Sequence, residues 1–94
     1  MKNNKLNFTR VKKLIKILAE QQDPKIIEAL LIDLCTPTEL EAIADRLHVA
    51  PLIAKGEPYR KIHEKTGVSI TTIGRVARQM QTGQGGYDAV LGED

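Results

Sequence analysis

The stretch TGVSITTIGRVARQM, residues 66–80, decides the fold of this chain. Its serine stands between a glycine and a run in which apolar residues recur at helical spacing. Because a serine before such a run is a typical helix N-cap, the pattern predicts a sharp turn at Gly67 and a helix over residues 70–81. A second short helix is predicted ahead of the turn, over residues 58–65.

Two short helices joined by a glycine-containing turn make up the helix-turn-helix unit. Gly67 tolerates the positive φ that the turn requires. The run GVSITTIGRV, residues 67–76, matches the consensus of this unit closely, although His63 stands where the pattern prefers a small residue. The predicted wedge between the two helices consists of Ile62, Thr66, Val68, Ile73 and Val76.

The outward face of the helix over residues 70–81, here termed the reading helix, suits the major groove of DNA. That groove is about 12 Å wide and admits one α-helix, whose first turns touch the base edges. Threonine methyl groups can contact thymine methyls, and arginine can donate two hydrogen bonds to guanine. Cations on the preceding helix can bind phosphates, which makes binding weaken with salt. The predicted DNA-binding residues are Arg60, Lys61, His63, Ser69, Ile70, Thr71, Thr72, Arg75, Arg78 and Gln79.

Charge is distributed unevenly along the chain. The formal net charge is only +2, yet residues 1–22 and 55–78 each carry six Lys or Arg, against one and two carboxylates respectively. Residues 23–54 and 79–94 are acidic. The alternative to a nucleic-acid surface is that these cations only solvate exposed helix faces. The polar outward face of the reading helix weighs against that alternative.

Start signals upstream of the turn predict three further helices. Residues 8–22 show amphipathic helical spacing, with Thr9 as a candidate cap. Asp23 and Pro24 then restart the chain as an N-cap and a first-turn proline, and this second helix is predicted to end near Cys35.

The third helix has the clearest start signal, because TPTE at residues 36–39 is a capping box. Its apolar stripe stays in phase through Pro51, although a proline inside a helix costs about 3 kcal/mol or more. We therefore expect one kinked helix over residues 36–55. With no strand-like alternation elsewhere, residues 1–94 are predicted to be a single all-α domain of about six helices. It ends in a flexible tail, residues 82–94, with the flexibility at residues 83–86 and a candidate last docked turn at residues 87–91.

Length and composition restrict the class of protein further. A chain of 94 residues buries only about 60–65 per cent of its unfolded surface, so a partner subunit is expected. At 41% hydrophobic residues it is too apolar for a disordered chain. Cys35 alone can form no internal disulfide, and no apolar stretch reaches the roughly 18 residues of a membrane span. We expect a soluble, cytoplasmic protein with no membrane association.

Residues 34–80 resemble the tryptophan repressor superfamily, and most closely its YerC/YecD-type branch. The matching stretches are CTPTELEAIADRL, AKGEP and TGVSITTIGR. The resemblance implies an intertwined, all-helical homodimer in which the apolar faces of residues 8–34 form the intersubunit core and residues 58–81 the helix-turn-helix. Two-fold symmetry then implies reading helices about 34 Å apart and a palindromic operator on double-stranded DNA.

The resemblance also implies a candidate effector site. In the tryptophan repressor the amino acid lies between the third helix and the reading helix, held by two arginines that match Arg46 and Arg75 here. Val76 stands where that protein has a glycine, and Gln79 where it has a serine. Because a valine there should crowd an indole ring, we expect any small-molecule corepressor to differ from tryptophan. The alternative for Arg46 is an ion pair with an acidic neighbour such as Asp45 or Glu39.

These observations predict a homodimeric, sequence-specific transcription regulator, and in particular a repressor that blocks a promoter. The competing hypothesis is a protein-docking module that uses the helix-turn-helix to bind, for example, a polymerase subunit. The positive charge around the reading helix distinguishes the two hypotheses, because docking to a neutral protein would not require that charge. An enzyme is not expected, since His48 and His63 lie in different predicted helices and no catalytic set, metal-ligating set or cofactor motif is recognisable.

Overall fold

The computed structural model describes residues 6–92. Within them the chain forms six helices and no strand, which confirms the all-α prediction. The helices are α1 Phe8–Ala19, α2 Pro24–Leu34, α3 Pro37–Ala54, α4 Tyr59–Thr66, α5 Ile70–Thr82 and α6 Gly86–Leu91. The chain divides into two compact units, Met1–Pro37 and Thr38–Asp94. None of the helices within residues 6–92 is both long enough and apolar enough to cross a bilayer.

The start of α1 differs from the sequence prediction. Asn7 is the N-cap, and its Oδ1 accepts a hydrogen bond of 3.2 Å from the amide of Arg10. The assignment of the cap to Thr9 is therefore wrong, because Thr9 lies inside the first turn. The helix also ends at Ala19, three residues before the predicted end. There the side-chain amide of Gln21 donates to the carbonyl of Ile17 over 3.1 Å and satisfies one of the last carbonyl groups.

The start of α2 follows the prediction. Asp23 is the N-cap, and its carboxylate accepts a hydrogen bond of 2.9 Å from the amide of Lys25. Pro24 occupies the first helical position, where its missing N–H leaves no intrahelical bond unmade. The helix ends at Leu34, with Cys35 as its extended C-cap.

α3 is the single helix that was expected through Pro51. It supplies Val49 and Ala50, which are fully buried in the hydrophobic core. The core lies in the second unit and also includes Ile62 of α4, Val68 of the turn, and Ile73 and Val76 of α5. Four of the five predicted wedge residues between α4 and α5 are thus part of a core that α3 completes, whereas Thr66 is partly exposed.

The segment predicted to be a flexible tail contains an ordered helix. α6 runs over Gly86–Leu91, and its Tyr87 packs against the core. An aromatic ring buries a large apolar area, which explains why this short segment docks although it follows a glycine-rich stretch. This helix coincides with the candidate docked turn at residues 87–91.

Many apolar residues of the first unit are exposed to solvent. Neither α1 nor α2 contains a buried residue. Phe8 and Ile15 of α1 are 62% and 56% exposed, and Ile32 and Leu34 of α2 are 55% and 56% exposed. Exposed apolar area of this extent on two successive helices is typical of an interaction surface.

Candidate nucleic-acid interface

The turn between α4 and α5 has the geometry that the sequence predicted. Gly67 is the C-cap of α4 with φ of +79°, a left-handed conformation that side-chain-bearing residues rarely adopt. Its amide donates to the carbonyl of His63 over 2.8 Å and closes the last turn of α4. Nothing lies within 4 Å of a Cβ at Gly67, so the left-handed backbone, and not crowding, calls for glycine.

Side chains of α4 hold both backbone groups of Val68. The hydroxyl of Thr66 donates to the carbonyl of Ile62 over 2.7 Å and accepts from the amide of Val68 over 3.1 Å. Nδ1 of His63 lies 2.8 Å from the carbonyl oxygen of Val68. Because a carbonyl can only accept, Nδ1 carries the proton and donates. A large residue at position 63, the departure from the consensus, therefore helps to fix the turn.

The start of α5 is capped by Ser69 as expected. The Ser69 hydroxyl oxygen accepts from the amide of Thr72 over 3.1 Å, and its proton is donated to the Thr72 hydroxyl over 3.0 Å. The Thr72 hydroxyl keeps its own proton for donation. Of these two predicted DNA contacts, Ser69 is thus already engaged in the helix start, and Thr72 remains able to donate outward.

The structure places the predicted inward and outward residues of α5 on opposite sides. Ile73 and Val76 are buried, and the remaining predicted DNA-binding residues of α5 are exposed except for the partly exposed Thr72. Arg60, Lys61 and His63 of α4 are exposed as well. The polar outward face that a groove requires is therefore present.

Lys65 is separated from this cationic set by an ion pair. Its ammonium group contacts the carboxylate of Glu57 at 2.9 Å. Within residues 6–92, neither Arg75 nor Arg78 forms an ion pair with a carboxylate. Their charges are available to a polyanion, whereas that of Lys65 is already balanced.

A groove that sequence analysis did not identify lies beside this face. It has a volume of about 460 Å³ and is formed by Tyr59, the first residue of α4, and by a face of α5 that includes Ile70, Gly74 and Arg78. Tyr59 and Gly74 were missed because helical periodicity does not show that the two helices place them together. The one available signal was a glycine in the middle of a predicted helix.

The residues of the candidate effector site lie in different surroundings. Val76 is only 1% exposed and belongs to the core. Gln79 lines an open hollow of about 420 Å³ with residues of α3 and α6, but neither Arg46 nor Arg75 is among its walls. Arg46 is half-buried, and no ion pair joins it to Asp45 in the part of the chain that the structure describes. An effector site stays a prediction.

Comparison with known proteins shows to which family this chain is related. A family profile described as Trp repressor protein matches residues 9–94. The chain belongs to the Trp repressor family. Within this family, the uncharacterized protein YerC of Bacillus subtilis (strain 168) is 33% identical over 91 residues, which cover 97% of this chain and 88% of YerC.

Two solved structures extend the relationship to the Trp repressor fold. A TrpR like protein from Eubacterium eligens ATCC 27750 matches with a TM-score of 0.85 and 35% identity, over 95% of this chain and 92% of that chain. A candidate Trp repressor from Staphylococcus aureus matches with a TM-score of 0.82 and 30% identity, over 88% of this chain and 83% of that chain. The predicted place in the YerC-type branch is confirmed. The Trp repressor family consists of DNA-binding helix-turn-helix regulators, not enzymes.

Proposed function

We propose that this protein is a sequence-specific transcription repressor that binds a palindromic operator as a homodimer. The observation that carries the proposal is the outward face of α5, which combines short polar side chains with arginines that have no ion pair within residues 6–92. Such a face fits the major groove, where base edges are read. A bound dimer would cover a promoter and exclude the polymerase.

Base and backbone contacts are divided between the two helices. In the proposed complex, α5 enters the major groove with Thr71, Thr72 and Arg75 towards the base edges. Arg60 and Lys61 of α4 are exposed and contact phosphates. Phosphate contacts set the orientation of the protein, and base contacts supply the specificity.

A second copy of the chain is the proposed partner for the exposed faces of α1 and α2. Full burial of a side chain such as Ile15 or Ile32 is worth about 1.5–3 kcal/mol, and both are now more than half exposed. A two-fold axis through such an interface would present two copies of α5, spaced about one DNA turn apart.

Substitutions on the two helices test the division of contacts. We expect Thr72→Ala and Arg75→Ala to weaken binding to a duplex selected from a random pool, with about 1–3 kcal/mol lost for Arg75, and to affect a random duplex less. Lys61→Ala should weaken binding to both duplexes equally and reduce the salt slope by about one. Fluorescence anisotropy at several salt concentrations measures both effects.

Lys65→Ala is the matched control, because the charge of Lys65 is already paired with Glu57. It should leave both affinities close to those of the wild type. Equal losses for the variants at positions 61, 72 and 75 would contradict sequence-specific binding through α5. If the wild-type protein binds no duplex in dilute buffer, the protein-docking hypothesis is favoured instead.

A further inference from the structure

Gly74 is a glycine that neither the backbone nor the packing of the chain requires. It lies in the middle of α5, and its φ is not among the positive values found at other glycines. A Cβ at this position would meet Cε2 of Tyr59 at 3.9 Å, an ordinary van der Waals distance. Alanine would fit and would favour the helix, since glycine is less stable than alanine in a helix interior.

The position of Gly74 suggests what the missing side chain permits. Gly74 lines the groove of about 460 Å³ between Tyr59 and α5, on the outer surface of the helix-turn-helix. A glycine at such a place allows another molecule to approach the helix backbone closely. Among residues 6–92, the lining of the groove includes Arg78 and no acidic residue. Arg60 and Lys61, which follow Tyr59 directly, are exposed.

We propose that this groove receives the sugar-phosphate backbone of one DNA strand, with Tyr59 and Gly74 as binding residues. Gly74 permits close approach, the Tyr59 hydroxyl donates a hydrogen bond to a phosphate oxygen, and Arg78 supplies the charge. This inference rests on the proposed DNA-binding function and adds a backbone contact to it. Because phosphates carry no sequence information, the contact sets the depth and register of α5 in the major groove.

Gly74→Ala and Tyr59→Phe in the full-length chain test the groove. We expect Gly74→Ala to weaken binding to a selected and to a random duplex by about tenfold each, because the added methyl blocks close approach. Thermal unfolding should show that this variant is at least as stable as the wild type. Tyr59→Phe keeps the ring beside Gly74 and removes one neutral donor. It should weaken binding to both duplexes by about threefold or more, without changing the salt slope.

Arg78→Ala and Lys65→Ala complete the set. Arg78→Ala should weaken binding to both duplexes and lower the salt slope by about 0.9, whereas Lys65→Ala, whose cation is paired with Glu57, should change neither. Wild-type affinity in folded Gly74→Ala and in Tyr59→Phe would overturn the groove assignment while leaving the proposed function intact. Losses confined to the selected duplex would overturn it as well, because they indicate a base contact. If the wild-type protein binds neither duplex, the proposed function itself fails.

Discussion

His63 and Thr66 act on the same peptide segment from one helix. They bond the carbonyl and the amide of Val68, whose side chain is meanwhile buried in the core. Hydrogen bonds to the backbone of Val68 and the burial of its side chain thus fix the turn together. This matters for DNA binding because α5 starts two residues later, so a shift of Val68 would move the whole outward face.

Removal of the His63 imidazole should loosen the turn. We expect His63→Ala to lower the free energy of unfolding by about 1 kcal/mol, the usual contribution of a hydrogen bond to a backbone carbonyl. Urea unfolding at a fixed protein concentration measures the change. His48→Ala, at an exposed position of α3, is the control and should have a smaller effect. Equal midpoints for the two variants would show that the bond to Val68 contributes nothing.

Residues whose role depends on helical periodicity were predicted from the sequence, and residues whose role depends on a neighbouring helix were not. The inward positions Ile73 and Val76 follow from spacing alone. The proximity of Tyr59 to Gly74 depends on the angle between α4 and α5, and the bond from His63 to Val68 depends on the path of the turn between them. No local pattern encodes that angle.

At the level of helices, starts were predicted better than ends. The caps at Asp23 and Ser69 are local, because each side chain bonds an amide two or three residues ahead. The end of α1 was predicted three residues too late, whereas the candidate docked turn at residues 87–91 is present as α6. α6 in particular is ordered by Tyr87, which packs on a core built from α3, α4 and α5.

Two glycines of the helix-turn-helix should respond in opposite ways to the same substitution. We expect Gly67→Ala to destabilise the protein by about 1–2 kcal/mol, because a Cβ is strained at φ of +79°. Gly74→Ala should stabilise it by up to about 1 kcal/mol, because alanine is the better residue within a helix. Thermal unfolding at one protein concentration compares them. A change in the same direction for both would contradict the assignment of strain to Gly67.

At the level of the whole molecule, the buried core is small for a chain of this length. Within residues 6–92, the six buried hydrophobic residues all lie between Val49 and Val76. α1 and α2 hold much apolar surface that the single chain leaves exposed. Small domains have a small free energy of unfolding. We therefore infer that association supplies a large part of the stability of this protein.

A charge on the apolar face of α1 should therefore reduce association. We expect Ile15→Glu to shift the protein from dimer to monomer and to lower its thermal stability, because a carboxylate would be buried without a partner. Sedimentation equilibrium measures the oligomeric state. Thr9→Glu introduces the same charge on the opposite, polar face of α1 and should leave the dimer intact. A wild-type protein that is monomeric at micromolar concentration would contradict the proposed assembly.

The bond between Ser69 and Thr72 restricts how this regulator can diverge. A change at either position disturbs the beginning of α5 as well as the chemistry of its surface. Within residues 6–92, the side chains of Thr71 and Arg75 take no part in the hydrogen bonds that start α5. Relatives that evolve towards new promoters should thus exchange residues at 71 and 75 freely, while retaining a hydroxyl at 69. Changes in the preferred DNA target would then arise from substitutions at positions 71 and 75 of α5.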